Sequence, residues 1–173
     1  MVISPQHGDG LMADGSFHQH GPLLQSGSYG NGLMTDILNF IELSAGTSFV
    51  IPAEPLKVFV HYLTAGQCNM LRAGKGVEVA TWNVPPRGRE ITRTGNGPFP
   101  SEAVAAGINA VLKRPGLDAA SKDELRHFAG VLRNQLPPPS RTRHFPDSDY
   151  TTHHRRGFSQ DVRTWSKRTE NAE

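Results

Sequence analysis

The chain is short of several things at once. Of 173 residues one is a cysteine, Cys68, so no internal disulfide can form and cysteine usage is silent on redox compartment. Hydrophobic residues make up 36% and aromatic residues 8%, and no apolar run reaches the length that spans a bilayer. Charge of one sign is also scarce: the net charge of +2 is too mild to mark a nucleic-acid binder. It does suit an anionic polymer if the arginines are focused in a cleft. The opening Met-Val-Ile-Ser-Pro-Gln-His lacks the charged and apolar regions of a signal peptide, so this polypeptide as written is expected to stay in the cytoplasm.

What the chain has in quantity is backbone punctuation. Eighteen glycines and thirteen prolines make it loop-heavy for a self-sufficient domain, although 173 residues could bury one ordinary core. That texture fits part of a larger enzyme with long functional loops. Residues 1–28 read as loop. Leu33, Ile37, Leu38 and Ile41 recur at helical spacing, with Gly46 closing that helix. Pro52 and Pro55 open a second helix, where proline is tolerated, with Leu56, Phe59, Val60 and Leu63 as its stripe. Ser101 is read as the cap of a third helix carrying Val104, Ile108, Val111 and Leu112, stopped at Pro115-Gly116. Ser121-Lys-Asp-Glu124 reads as a capping box before Leu125, Phe128, Ala129 and Leu132. Each helix has a single apolar stripe, so each must pack on neighbours in a bundle or ring of paired helices.

The character changes after Gln135. Leu136-Pro-Pro-Pro-Ser140 cannot continue a helix and reads as a semi-rigid linker. Tyr150-Thr-Thr-His-His-Arg155 and Phe158-Ser-Gln-Asp-Val-Arg-Thr-Trp165, on either side of Arg156-Gly157, predict strand, turn, strand. Two strands alone are marginal in water, so a larger sheet is expected to accompany them. His153-His154 with Arg155-Arg156 is expected at a polar strand edge. The chain thus divides near residue 140, into a mainly α part (1–140) and the first strands of a sheet part (141–173).

The segment Asp14-Gly-Ser-Phe-His-Gln-His20-Gly-Pro-Leu-Leu-Gln-Ser-Gly-Ser-Tyr29-Gly30 carries the chemistry. It sets an imidazole and a phenol nine positions apart, in a stretch too rich in Gly, Ser and Pro to be a regular helix. Two titratable groups on such a loop, leading into an apolar helix, suit proton transfer better than packing. The competing reading is that His20 and Tyr29 only satisfy backbone groups of the loop. His18 with His20 offers a His-x-His pair, yet no carboxylate or cysteine stands at a recognisable ligand spacing, so no metal is expected and His18 is read as lining the loop. Arg87, Arg89 and Arg93 could be a solvated face, but Pro85-Pro86 and Gly88 are expected to hold them in a non-helical loop. Trp82 could stack on a sugar ring or sit in the core.

The run Asp14-Gly-Ser-Phe-x-Gln-His20 followed nine residues later by Tyr29-Gly30 closely resembles the catalytic stretch of polysaccharide lyase family 8, the hyaluronate, chondroitin AC and xanthan lyases. Further anchors are Pro86-Arg87-Gly88-Arg89-Glu-Ile-Thr-Arg93, His154-Arg-Arg-Gly-Phe158 and Ser166-Lys-Arg168-Thr-Glu-Asn-Ala-Glu173. The resemblance implies a mainly α fold, part of an incomplete α/α toroid, followed by the opening strands of an antiparallel β-sandwich. The N-terminal half of that toroid and the sandwich domains would then lie outside this chain. It implies β-elimination on a uronic-acid-containing polysaccharide: the C5 proton is lost, the C4 glycosidic oxygen leaves, and an unsaturated uronate remains.

On that resemblance Tyr29 matches the tyrosine that protonates the leaving oxygen. His20 matches the histidine assigned as base or as the group that orients the carboxylate. Arg89 and Arg93 match an arginine pair, with Arg87 beside them. A phenol ordinarily ionises near roughly pH 10, so a basic role for Tyr29 needs cationic neighbours. Glu173 matches a glutamate that bonds the tyrosine–arginine network. Neither Asn31 nor Asn69 stands in the motif of the family's carboxylate-neutralising asparagine. An anionic polysaccharide is the implied partner, with no nucleic acid, no membrane and no cofactor. Related enzymes are secreted, and this polypeptide alone is expected to be weakly active or inactive. Alternatives are a non-catalytic remnant that binds anionic carbohydrate, or a non-functional gene fragment.

Overall fold

The computed structural model describes residues 8–74, 77–78, 80–87 and 100–169. Two short strands, β1 (Gly10–Leu11) and β2 (Phe17–His18), pair antiparallel in what reads from sequence as plain loop. Helix α1 (Tyr29–Leu43) follows and buries Met34, Leu38 and Ile41. Helix α2 (Ala53–His61) starts after Pro52 and buries Leu56, Phe59 and Val60. Its axis continues through a wide π turn (Tyr62–Gly66) and a 3₁₀ turn (Gln67–Met70) before β3 (Leu71–Arg72), which pairs with β4 (Thr81–Trp82). A single helical turn, α3, covers Val84–Arg87.

Helices α4 (Ser101–Leu112) and α5 (Ala119–Leu132) pack against each other, and α1 lies on α4. Val104, Ile108, Val111, Leu125, Phe128 and Leu132 meet the α1 and α2 stripes in one core. Each apolar stripe legible in the sequence faces that core; the caps differ from expectation. Ser101 is the first helical residue of α4, after Pro100. Helix α5 is capped by Asp118, whose carboxylate accepts the Ser121 N–H at 2.7 Å and the Ser121 hydroxyl at 3.1 Å. Asp118 is the better cap because its carboxylate sits three residues ahead of the Ser121 amide, whereas Ser121 already lies inside the first turn.

Three antiparallel strands close the chain: β5 (Thr142–Phe145), β6 (Tyr150–Arg155) and β7 (Phe158–Arg163), with the β6–β7 turn at Arg156-Gly157 as expected. Strand β5 goes unnoticed in the sequence, and it makes β6 the central strand rather than an edge. The inward face of β6 carries Tyr150, Thr152 and His154, all buried. His154 is therefore no surface group. Its Nε2 meets the Asn69 carbonyl at 2.8 Å, and burial holds its pKa below the usual histidine value. The outer face leaves Phe158 and Val162 about half exposed, with Trp165 beyond them.

Candidate active site

The Asp14–Tyr29 segment alternates between two faces. Asp14, Ser16 and His18 point inward and are buried; Gln19 and His20 point out. The inward set forms one buried chain of hydrogen bonds. The Ser16 hydroxyl and N–H both donate to Asp14 Oδ1, at 2.7 and 2.8 Å. The Ser148 hydroxyl donates to Ser16 Oγ at 2.8 Å, and His18 Nε2 stands 2.8 Å from Ser148 Oγ. Ser16 spends its proton on the carboxylate and Ser148 spends its own on Ser16, so His18 is the donor through Nε2–H. Asp14 Oδ2 also accepts the Asp147 N–H at 2.9 Å, and Arg143 donates to the Asp14 carbonyl at 2.8 Å. The Asp-Gly-Ser part of the motif thus ties the loop to the β5–β6 connection, and His18 anchors it rather than lining its open side.

Beyond His18 the chain turns back on itself. Gln25 N–H donates to the Phe17 carbonyl, Gln19 N–H to the Leu23 carbonyl and Leu23 N–H to the Gly21 carbonyl, at 2.8, 3.2 and 2.8 Å. At the apex His20 takes a left-handed φ of 63°, a conformation that costs a non-glycine residue about 1 kcal/mol. Asp9 brackets it. One carboxylate oxygen accepts the Gly21 N–H at 2.8 Å and the other the Gln19 side-chain amide at 2.7 Å.

Tyr29 does not sit in a loop, as the Gly- and Ser-rich run suggests, but opens helix α1. The residues around it explain the motif's glycines by close approach. A Cβ on Gly30 would lie 2.6 Å from the Tyr62 Oη, which donates to the Gly30 carbonyl at 2.8 Å. Tyr62 is itself held by the Gln67 amide, which also donates to the Ser26 carbonyl. A Cβ on Gly27 would overlap the Trp82 ring, and the Gly27 N–H donates to the Pro86 carbonyl at 2.7 Å. Nothing in the sequence marks Asp9, Tyr62 or Gln67 as parts of this site; their partners are 12, 32 and 41 positions away.

The product of this scaffold is one contact on the surface. His20 Nε2 and Tyr29 Oη stand 3.0 Å apart, with the rings edge to face at a centroid distance of 5.1 Å. Tyr29 is 50% exposed and His20 is exposed, so a substrate can reach both. The pair can share a proton: the phenol donates when the imidazole nitrogen is bare, and a protonated imidazole donates back to a phenolate.

The remaining predicted residues divide. Arg87 ends α3, a helical turn and not the expected non-helical loop, because Pro85 and Pro86 carry a helix-compatible φ in a first turn. The Pro86 bond to Gly27 brings this turn against the segment two residues ahead of Tyr29. Arg89, Arg93 and Glu173 lie outside the described residues. Trp82 is 4% exposed and belongs to the core, so its ring is not offered to a sugar; it supports Gly27 from below. Asn69 is buried, donates to the Thr64 and Ala65 carbonyls and accepts from Arg141. Cys68 is buried and its thiol is pushed up to about 12, which rules it out as a nucleophile near neutral pH. Among the described residues no group of three His, Cys, Asp or Glu side chains could hold a metal, and no helix is long and apolar enough to cross a membrane.

Comparison with known proteins follows the same lines. Chondroitinase-AC of Pedobacter heparinus is 28% identical over 167 residues, which is 95% of this chain and 23% of that protein. Hyaluronate lyase HylB of Enterococcus faecalis is 29% identical over 90 residues, 52% of this chain and 9% of that protein. The solved chondroitinase AC lyase–oligosaccharide complex superposes with a TM-score of 0.76 at 23% identity, covering 97% of this chain and 24% of that one. Xanthan lyase from Paenibacillus gives 0.73 at 19% identity, over 99% of this chain and 19% of that one. The chain therefore spans under a quarter of the length of these curated relatives. The model of the polysaccharide lyase family 8 N-terminal alpha-helical domain matches residues 2–115. This chain belongs to polysaccharide lyase family 8.

Proposed function

We propose that this chain carries the acid–base half of a lyase site that cleaves a uronic-acid-containing polysaccharide by β-elimination. The observation that carries the reading is the exposed His20–Tyr29 contact at 3.0 Å, in a chain whose relatives are polysaccharide lyases. Elimination needs a base at C5, an acid at the C4 oxygen and a positive field for the enolate-like charge on the carboxylate. Tyr29 protonates the leaving oxygen, and either it or His20 takes the C5 proton. Arg89 and Arg93 grip the anionic sugar and favour the charged intermediate, Arg87 extends the positive surface, and Glu173 bonds the tyrosine–arginine network. The reaction needs no cofactor. Both candidate carbohydrate targets of the relatives, glycosaminoglycan and xanthan, are anionic, which fits arginine recognition.

In the same reading helices α1–α5 form the C-terminal part of an α/α toroid (1–140), and β5–β7 open an antiparallel β-sandwich (141–173). The working enzyme acts outside the cell on its polymer, within a larger protein. As the 173-residue polypeptide it turns over slowly, because neither Asn31 nor Asn69 stands in the motif of the carboxylate-neutralising asparagine. Losing such a stabiliser costs about 10²–10³ in rate. The test is to incubate the chain with hyaluronan, chondroitin sulphate and xanthan and to follow the ultraviolet absorbance of unsaturated uronate. Slow product formation on at least one polymer is expected. Binding without product, unchanged in Tyr29→Phe, would favour a carbohydrate-binding role instead.

A further inference from the structure

The apex of the His20 turn is exposed, and the left-handed residue there is the one whose side chain meets Tyr29. A strained residue persists only where its neighbours over-determine it. Asp9 supplies that constraint. Its hydrogen bonds among the described residues go to the two positions flanking His20: the Gly21 N–H at 2.8 Å and the Gln19 side-chain amide at 2.7 Å. The carboxylate reaches across from the residue before β1, so two arms close on the apex from outside the turn. Without them the apex rests on the Gln19–Leu23 and Leu23–Gly21 backbone bonds, and His20 can relax towards the extended backbone that non-glycine residues prefer, which swings its imidazole away from the Tyr29 phenol.

We propose that Asp9 is a positioning residue for His20, holding the left-handed turn that keeps the imidazole on Tyr29. Its catalytic consequence rests on the lyase reading above, whereas the positioning itself does not. Asp9 acts through the backbone of Gly21 and the amide of Gln19.

The experiment reads geometry and turnover separately. In the isotope-labelled chain, nuclear Overhauser contacts between the His20 and Tyr29 rings are measured for the wild type, Asp9→Ala and Asp9→Asn. The asparagine keeps an acceptor for Gly21 and an amide that the Gln19 side chain can meet by turning over. The expected result is loss of the ring contact in Asp9→Ala and its retention in Asp9→Asn, with the rest of the amide spectrum unchanged. A ring contact that persists in Asp9→Ala overturns the proposal. Should Asp9→Ala lose its native amide dispersion, Asp9→Glu carries the test: it keeps the charge but shifts both acceptor oxygens by a methylene, and the same loss is expected. On a polymer that the wild type cleaves, Asp9→Ala should lower kcat about 10–100-fold with KM within about twofold, and Asp9→Asn should restore most of it. If the wild type forms no product on any polymer, the lyase reading fails while the ring-contact result still decides the role of Asp9.

Discussion

Gly30 and Tyr62 make a pair whose coupling can be worked out from distances. Gly30→Ala places a methyl 2.6 Å from Tyr62 Oη, with Phe17 Cβ at 3.1 Å and the Gln25 carbonyl at 3.2 Å. Overpacking of this kind costs about 1–3 kcal/mol, and it displaces a buried hydrogen bond worth about 1 kcal/mol. The better helix propensity of alanine offsets about 1 kcal/mol, leaving a net loss of about 2 kcal/mol. Tyr62→Phe removes the hydroxyl itself. Burial pushes that phenol far above its ordinary pKa, so it acts only as a neutral donor and acceptor. Its loss costs about 1–2 kcal/mol, since Gln67 keeps its bond to the Ser26 carbonyl. In the double variant the tightest remaining contact is 3.1 Å, so most of the overlap is gone. The double should be no less stable than Tyr62→Phe alone, a coupling of about 2 kcal/mol. Thermal unfolding by circular dichroism would show Gly30→Ala lowered by about 4–8 °C and the double recovering to the Tyr62→Phe value. Strict additivity of the two losses would refute the close-contact explanation of the Tyr29-Gly30 glycine.

Other consequences follow from groups outside the acid–base pair. His154, held neutral by burial, has a folded pKa below its unfolded one, so its contribution is present above the unfolded value near roughly 6.5 and lost as pH falls below it. An NMR titration should find its midpoint under the ordinary histidine value of roughly 6.5, and a midpoint at or above that value would contradict its placement. Asp149 is pulled two ways: burial works to raise its carboxyl, but hydrogen bonds from Ser166, Arg168 and Thr169 prevail and hold it below the usual carboxylate range. Its contribution is therefore full above an unfolded pKa of about 3.9 and fades as pH drops through the lower folded value. Asp149→Asn should be less stable than wild type at pH 7, with the gap closing in acid; a gap that widens there would reverse the sign of the argument. Asp14→Ala removes the acceptor of Ser16 and of the Asp147 amide, and should cost about 3–5 kcal/mol in chemical denaturation because three hydrogen bonds to a charge end there. A loss under about 1 kcal/mol would show that the loop is held by something else.

The two kinds of signal in this chain differ in how local they are. The stripes of α1, α2, α4 and α5 were legible because a helix writes its buried face into spacings of three and four, and Leu56, Phe59, Ile108 and Phe128 all meet in the core. The His20–Tyr29 pair was legible as a motif, though not its geometry: nine residues that double back through a left-handed apex bring the rings together. Strand β5 escaped notice because Thr142, Arg143 and His144 are polar, and its pairing to β6 is what buries Phe145. His154 looks like a polar strand-edge residue by type, and Trp82 fits a sugar platform or a core equally well; tertiary packing puts both inside. Asp9 carries no sequence cue at all, since its partners are Gln19 and Gly21 and their role depends on a turn not yet formed in the linear chain.

The most direct test of the account is product formation by the wild type, His20→Ala, Tyr29→Phe and the double variant on whichever anionic polymer is cleaved, read as unsaturated uronate. If imidazole and phenol act as one unit, each single change should remove about 10²–10⁴ of the rate and the double should be little worse than Tyr29→Phe. Unsaturated product released by Tyr29→Phe at the wild-type rate would contradict it.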